Sequence, residues 1–290
     1  MSDQKTTGGS TVAKLVATIG DLPASPATVS AVMGLTSNLE SRVEDVCQVL
    51  SSDQSLTARV LKLSNSSFYG RSKEVKSLQE AILILGFFTV RSMVIASSAH
   101  AMLAAGNEDP NRGKLWAHSF STSIAARQLA AELKLNNKDE IYIAALLHDI
   151  GKLVLMQKFP IKYANLIQRV EEERLSFCQL EQELFGFTHA EVAELLLESW
   201  SFPDSLRRAI RDHHDIEGLT GLKTPSMSVV INAANCLAKR LEVGFEDYQP
   251  ESMDEVESLA SLGFEPDDFD RLTQTINEHY LAESRIFEEA

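Results

Sequence analysis

The length, composition and hydropathy of the chain indicate a folded protein and exclude several classes. The chain has 290 residues, of which 44% are hydrophobic and 23% charged, values close to those of globular proteins. No apolar run reaches the roughly 20 residues that cross a bilayer. Residues 1–10 are polar and lack the apolar stretch of a secretion signal. We therefore expect a soluble, cytoplasmic protein without membrane contact, beginning with a disordered tail at residues 1–10.

The net charge of −14 is concentrated near the C-terminus. Residues 242–290 contain 15 acidic and 2 basic side chains, whereas the first 241 residues contain 26 acidic and 25 basic ones. Because the body of the chain is nearly neutral, it lacks the positive surface that binds nucleic acid. The acidic segment has two interpretations: a solvated face of helices that cover the domain, or an arm that docks a partner.

Helical periodicity dominates the chain and predicts an all-α, multi-helix bundle. In the N-terminal part, helices are predicted at Val43–Ser51, Asp53–Ser64, Leu78–Leu85 and Phe87–Leu103. The clearest internal boundary is Gly106–Gly113, which combines Gly, Asn, Asp and Pro within a short span. The three cysteines, Cys47, Cys178 and Cys236, lie among apolar helix positions and form no metal-binding spacing, so we predict buried, reduced thiols.

The helical pattern continues beyond the internal boundary. The predicted helices are Leu115–Leu133, Asp139–Met156, Pro160–Glu173, Cys178–Phe185, Ala190–Trp200, Asp204–His213, Pro225–Leu241, Val256–Leu262 and Phe269–Phe287. Composition and pattern together divide the chain into three helical parts after the tail. These are an N-terminal subdomain at residues 11–108, a core at residues 109–241 and an acidic extension at residues 242–290.

His148 and Asp149 are adjacent at the end of the apolar stretch Ile141–Leu147. An imidazole and a carboxylate placed together at a helix end can face one cation. Such a pair alone is more often structural, but four further histidines strengthen the metal interpretation, namely His118, His189, His213 and His214. Each also has an ordinary alternative, because a histidine can simply cap a helix or complement its dipole.

The order of these residues and the sequence around them resemble a known family. The segments that carry the resemblance are Leu22–Pro26, Ser52–Thr57, Leu61–Gly70, Ala81–Gly86, Leu115–Ser119, Ala145–Lys152, Thr188–Glu191 and Trp200–Pro203. Together they span about residues 15–240 and resemble the HDOD family, the HD-related output domain of bacterial signalling proteins. This family is related to the HD and HD-GYP metal-dependent phosphohydrolases.

The resemblance implies an HD-like helical bundle that regulates a bacterial signalling pathway through protein partners. It also implies a metal site formed by His118, His148, Asp149, His189, His213 and His214. A mixed imidazole and carboxylate set suits divalent Fe, Mn or Ni, and zinc is also compatible. If the domain is a phosphohydrolase, the cation would activate a water that attacks a nucleotide or other phosphate ester. Asp149 and Lys152 would then be catalytic, with Lys152 steadying the phosphate.

The chain departs from the superfamily pattern at two places. Asn235 stands where the superfamily places a late metal-binding aspartate, so one negative charge is missing. After His214 the sequence reads Asp215-Ile-Glu-Gly-Leu-Thr-Gly221 without Gly-Tyr-Pro, which argues against cyclic-di-GMP hydrolysis. Three functions therefore remain open: a regulatory domain with a structural metal, a metal-dependent phosphohydrolase, and a nucleotide-sensing pocket without turnover.

Overall fold

The structure, a computed structural model, describes residues 27–36, 41–65, 75–104, 109–173, 175–215, 224–245 and 258–288. Within these ranges the protein is all-α, with fourteen helices of eight residues or more and no strand, which confirms the predicted fold class. None of the described helices is long and apolar enough to cross a membrane. The predicted tail at residues 1–10 and the Leu22–Pro26 motif lie outside the described residues.

The fourteen described helices occur in the following chain order. The N-terminal part forms α1 (Ala27–Thr36), α2 (Val43–Ser51), α3 (Gln54–Ser64), α4 (Leu78–Leu85) and α5 (Phe87–Ala104). The middle part forms α6 (Pro110–Glu132), α7 (Lys138–Leu147), α8 (Ile150–Lys158), α9 (Pro160–Glu173), α10 (Phe177–Phe185), α11 (His189–Ser199), α12 (Asp204–Arg211) and α13 (Met227–Lys239). The last described helix is α14 (Pro266–Glu288).

Helix α6 lies at the centre of the bundle and is packed between α7 and α13, with α5 and α14 also against it. Its buried positions run from Leu115 to Ala130 and include His118. One continuous hydrophobic cluster extends from Val29 in α1 to Phe287 in α14. The division into parts at residues 11–108, 109–241 and 242–290 stays a prediction.

Two of the predicted helices have different bounds in the structure. The predicted helix Asp139–Met156 is two helices, because the chain turns at His148 and Asp149 between α7 and α8. Asp149 has non-helical angles (φ −100°, ψ 7°), so the apolar pattern continues through a break in the backbone. The predicted helix Leu115–Leu133 begins earlier than expected, because Asp109 caps α6 and Pro110 begins it, so Gly113 lies inside this helix.

The cysteines differ from the prediction of buried thiols, because all three are partly exposed. Cys47 and Cys236 pack against the edge of the hydrophobic cluster rather than inside it. Burial raises the pKa of the Cys47 thiol, with a further contribution from Glu44. The thiols therefore lie on the flanks of amphipathic helices.

The C-terminal helix α14 packs against α6 and α13. Its buried face includes Leu272, Ile276 and Phe287. The Phe287 ring lies 5.0 Å from that of Trp116, measured between centroids. Arg127 of α6 donates a hydrogen bond of 2.7 Å to Glu283 of α14, and both side chains are buried. The described part of the acidic extension is therefore anchored to the bundle.

Candidate metal centre

The fold brings all six predicted ligands together from four places in the chain. His118 lies on α6, His148 and Asp149 form the turn between α7 and α8, His189 begins α11, and His213 and His214 directly follow α12. The possible ligand atoms form two overlapping groups, in each of which all atoms lie within 4.8 Å of one another. One group contains His118, His148 and Asp149, and the other contains Asp149, His189, His213 and His214. Asp149 belongs to both groups.

The Asp149 carboxylate is the centre of this cluster. Its Oδ1 atom lies 3.0 Å from Nε2 of His189, and its Oδ2 atom lies 2.8 Å from Nζ of Lys152. The Nε2 atoms of His148 and His118 are 3.4 and 3.5 Å from the same Oδ2 atom. Burial alone would raise the pKa of Asp149, but the neighbouring His148, Lys152 and His189 hold its pKa well below the usual range. Asp149 is therefore a buried anion at neutral pH.

His148 and His213 are fully buried and oriented by their own helices. Each ring places Nδ1 2.6 Å from a backbone carbonyl oxygen, that of Ala145 for His148 and that of Ile210 for His213. A carbonyl can only accept, so Nδ1 carries the proton and Nε2 carries the lone pair. Burial lowers the pKa of His148 to about 3 and that of His213 well below its ordinary value, so both rings are neutral at neutral pH.

The Nε2 atoms of His148 and His213 are buried and have no hydrogen-bond partner within the described part of the chain. Two buried lone pairs beside a carboxylate are costly unless a cation or donor compensates them. Neutral imidazole and carboxylate are also the ligand types that bind divalent transition metals. The residues present therefore fit a divalent cation.

His118 completes the first group from the side of α6. The ring is 7% exposed, and burial lowers its pKa to about 3. The chain after α13 passes directly over this histidine at Gly244, where an added Cβ would lie 2.7 Å from the His118 Cβ. Gly244 therefore allows a close approach of backbone to the candidate ligand, and this edge of the centre is covered.

His189 has a second buried carboxylate, Glu181 of α10, on its outer side. Oε2 of Glu181 accepts hydrogen bonds from both the backbone N–H and the ring Nδ1 of His189, each at 2.7 Å. Oε1 accepts the hydroxyl of Tyr163 at 2.6 Å. Burial alone would lower the pKa of His189. The neighbouring carboxylates of Glu181 and Asp149 have the larger effect and raise its pKa to about 9. Neither Glu181 nor Tyr163 was predicted from the sequence.

The start of α11 explains why His189 lies where it does. Thr188 accepts a hydrogen bond from the backbone of Glu191, while the Glu191 side chain accepts one from the backbone of Thr188. This capping box begins the helix at His189. At Gly151 of α8 an added Cβ would lie 2.0 Å from the backbone oxygen of His189, so only glycine lets α8 and α11 approach this closely.

His214 differs from the other five predicted ligands because it is exposed. Its Nε2 atom lies 3.1 Å from Nε2 of His189. Lys152 is 4% exposed, and its ammonium lies 4.1 Å from the centroid of the Phe177 ring. The centre is therefore a buried cluster with one histidine at its solvent side.

Asn235, at the position of the missing aspartate, is buried on α13. Its Oδ1 atom has no hydrogen-bond partner among the described residues. One turn earlier, Asn232 donates a hydrogen bond of 2.8 Å to the backbone oxygen of His213. Helix α13 therefore contacts the second ligand group through the Asn232 amide, and it carries a neutral amide at position 235.

A helical bundle that gathers a His-Asp pair and four further histidines around one point is typical of an HD-type domain. A family model described as HDOD domain matches residues 22–216. The chain therefore belongs to the HDOD family, which confirms the resemblance drawn from its motifs.

Three individual proteins are similar to this chain. An uncharacterized protein of Treponema pallidum (strain Nichols) is 25% identical over 216 residues, which are 73% of this chain but only 41% of that protein. An HDOD domain protein with unknown function from Geobacter sulfurreducens has a crystal structure that is 26% identical, covers 98% of both chains and gives a TM-score of 0.77. A candidate phosphohydrolase from Shewanella amazonensis SB2B shares the fold, with 24% identity over 94% of this chain and 97% of that one and a TM-score of 0.72.

Proposed function

We propose that this chain is a regulatory domain of a bacterial signalling pathway and that its histidine–aspartate cluster binds a divalent cation. The observation that carries the cation site is the pair of buried, unpartnered Nε2 atoms on His148 and His213 beside the Asp149 anion. The regulatory role is supported by membership of the HDOD family, whose domains serve as output modules in bacteria. The protein would act in the cytoplasm through other proteins.

The proposed ligands are His118, His148, Asp149, His189, His213 and His214. A bound divalent cation would supply a Lewis acid at this point, able to polarise a phosphate or lower the pKa of a water. The chain's own contribution is to exclude water, fix the imidazole tautomers through backbone carbonyls and hold the Lys152 ammonium beside Asp149. Fe, Mn and Ni suit this donor set, and zinc is compatible with it.

Two features favour regulation over catalysis. Asn235 contributes a neutral amide where the superfamily has a carboxylate. The site therefore has one negative charge fewer to hold a cation and to help activate a water. The sequence after His214 also lacks the Gly-Tyr-Pro motif. We therefore propose no cyclic-di-GMP phosphodiesterase activity.

Hydrolysis of a nucleotide or another phosphate ester is the second candidate function. The specific observation in its favour is Lys152, a buried cation 2.8 Å from Asp149 that could neutralise a phosphate bound at the cluster. If the protein is a phosphohydrolase, Asp149 and Lys152 are the catalytic residues. A pocket that binds a nucleotide without turnover would use the same groups.

Metal content tests the proposal directly. We expect protein expressed with added Mn²⁺ and Fe²⁺ to retain close to one cation or more per chain by elemental analysis after gel filtration. Asp149→Ala should lose most of this metal, because the shared carboxylate belongs to both ligand groups. Asp270→Ala, which removes an exposed carboxylate of α14, is the matched control and should keep it. Wild-type protein that carries no more metal than Asp149→Ala would contradict the cation site.

A panel of phosphodiesters and nucleotides, assayed with the metal-loaded protein, separates the two functions. We expect no turnover in the wild type. Asn235→Asp should raise metal affinity, because it restores the negative charge that the superfamily has at this position. Turnover by the wild type that is lost in Asp149→Ala would instead establish the hydrolase.

A further inference from the structure

Glu181 is a fully buried carboxylate outside the six predicted ligands. Its two oxygens accept three hydrogen bonds, two from His189 and one from Tyr163, all between 2.6 and 2.7 Å. The three residues belong to α9, α10 and α11, so these helices meet at one carboxylate. A buried anion with this many short contacts strongly restricts the geometry of its partners.

The contacts determine which nitrogen of His189 faces the metal centre. Because Nδ1 donates to Glu181, Nε2 points away from it, toward Oδ1 of Asp149 at 3.0 Å and Nε2 of His214 at 3.1 Å. The same Oε2 atom also holds the backbone N–H of His189, so the start of α11 and the rotation of the ring are fixed together. A carboxylate behind a ligating imidazole also increases its basicity.

The other acidic residue of α10, Glu183, has no such role. Glu183, two residues further on, is exposed and pairs with Arg169 across the surface. Glu181 instead occupies the buried side of the helix, between Phe177 and Phe185, whose rings lie near that of Tyr163. The contacts of Glu181 are thus directed at the cluster rather than at solvent.

We propose that Glu181 is a positioning residue of the metal centre, which holds His189 with Nε2 facing Asp149, and that Tyr163 orients Glu181 in turn. This inference rests on the proposed cation-binding function. It predicts that loss of the Glu181 acceptor weakens metal binding without removing any ligand.

The test compares Glu181→Met with Glu181→Gln. Methionine keeps the volume and removes the acceptor, whereas glutamine keeps an acceptor oxygen. Glu283→Met is the matched control, because Glu283 is also a buried carboxylate with a hydrogen-bonded partner, Arg127, but lies on α14. Mn²⁺ affinity is measured by calorimetry. In parallel, proton NMR of the metal-free protein records the solvent-protected Nδ1 proton of His189, identified by its absence in His189→Asn.

We expect Glu181→Met to weaken Mn²⁺ binding about 10- to 100-fold, the usual effect of removing a partner behind a metal ligand, and to lose the Nδ1 proton signal. Glu181→Gln should keep the signal and lie within about tenfold of the wild type. Glu283→Met should lower the melting temperature but leave both readouts unchanged.

Two results would overturn the inference: unchanged Mn²⁺ affinity in a folded Glu181→Met, or a Nδ1 signal that persists in it. If Glu181→Met does not fold, Glu181→Gln decides, because loss of its Nδ1 signal would contradict the positioning role and retention would support it. If the wild type binds no Mn²⁺, the cation-binding function fails, whereas the Nδ1 signal still decides whether Glu181 orients His189.

Discussion

Three buried histidines of the centre, His118, His148 and His213, have pKa values far below that of an exposed histidine. The unfolded chain therefore takes up protons near pH 6.5 that the folded protein does not accept until far lower pH. Stability must fall as the pH decreases below about 6.5, because each such group then favours the unfolded state. Asp149 acts in the same direction at still lower pH, since its pKa is also depressed in the folded state.

His189 has the opposite dependence. Its pKa is raised to about 9 in the folded protein, so its contribution to stability is complete below about pH 6.5 and is lost as the pH rises toward 9. We therefore predict that the metal-free protein is most stable near pH 6.5. Urea unfolding in the presence of chelator, at pH 5, 6.5 and 8.5, measures this.

His148→Gln is the informative variant, because glutamine keeps a polar side chain but does not titrate. It should reduce the loss of stability between pH 6.5 and 5 by up to about 1.4 kcal/mol per pH unit, the limit for one group. Equal losses in wild type and His148→Gln over this range would show that the buried imidazole does not control acid stability.

A second prediction at the scale of single residues concerns the substitution of Gly151. An alanine there would place Cβ 2.0 Å from the backbone oxygen of His189, so α8 and α11 would have to separate. We expect Gly151→Ala to lower the free energy of unfolding by about 1–3 kcal/mol, the usual cost of overpacking.

Gly113→Ala provides the control for Gly151→Ala. Gly113 also lies in a helix, but a Cβ added to it meets no atom within 4 Å. This substitution should be neutral or stabilising by up to about 1 kcal/mol, since alanine is the better helix former. Similar losses from both substitutions in urea unfolding would rule out the close helix contact as the cause.

At the level of helices, most elements could be predicted from the sequence because amphipathic stripes and capping residues are local signals. The break at His148 and Asp149 could not, because the surrounding residues are apolar on every side and a fully buried helix leaves no stripe. In the structure all residues of α7 from Ile141 to Leu147 are buried. The turn is therefore a consequence of packing, and it is the turn that aims both side chains at the centre.

The six candidate ligands could be predicted from their spacing and from the family resemblance, but Glu181 was missed. Glutamates are common on solvated helix faces, and α10 carries a second one, Glu183. A signal was nevertheless present, because Glu181 lies four residues after Phe177 and four before Phe185 and so falls on the apolar stripe of α10. An acidic residue on such a stripe indicates a buried partner, although only the fold shows that the partner is His189.

At the scale of helices, a further prediction concerns α14. Phe287 is 3% exposed and packs among the rings of Trp116, Phe120 and His100. If the acidic extension covers the domain, Phe287→Ala should lower the free energy of unfolding by about 3 kcal/mol. Leu281→Ala, on the exposed side of the same helix, should change it by less than about 0.5 kcal/mol.

The measurement is again urea unfolding of both variants. A Phe287→Ala protein as stable as Leu281→Ala would contradict a covering role and favour the docking-arm interpretation. The buried ion pair of Arg127 with Glu283 supports covering, because breaking it would leave a charge without its partner inside the bundle.

At the scale of the whole molecule, the centre depends on helices that are distant in sequence. Its residues come from α6, the α7–α8 turn, α11 and the end of α12, and their supports come from α9, α10 and α13. Local sequence signals place each side chain on its helix but do not bring the helices together, so the resemblance to a known family was needed to predict the cluster. The structure adds the hydrogen bonds that decide which nitrogen of each imidazole is available.

The uneven exposure of the ligands has a kinetic consequence. His118, His148, Asp149, His189 and His213 are at most 7% exposed, whereas His214 faces solvent. An ion would therefore reach the centre past His214. The rings of His118, His148 and His213 would already be neutral when it arrived, whereas His189, whose pKa is about 9, would have to release a proton. Capture would need little rearrangement of the side chains, while release would require several bonds to break in a buried cluster. Such a centre favours long residence times, so the protein would change its metal state slowly compared with the rapid exchange expected of a surface site.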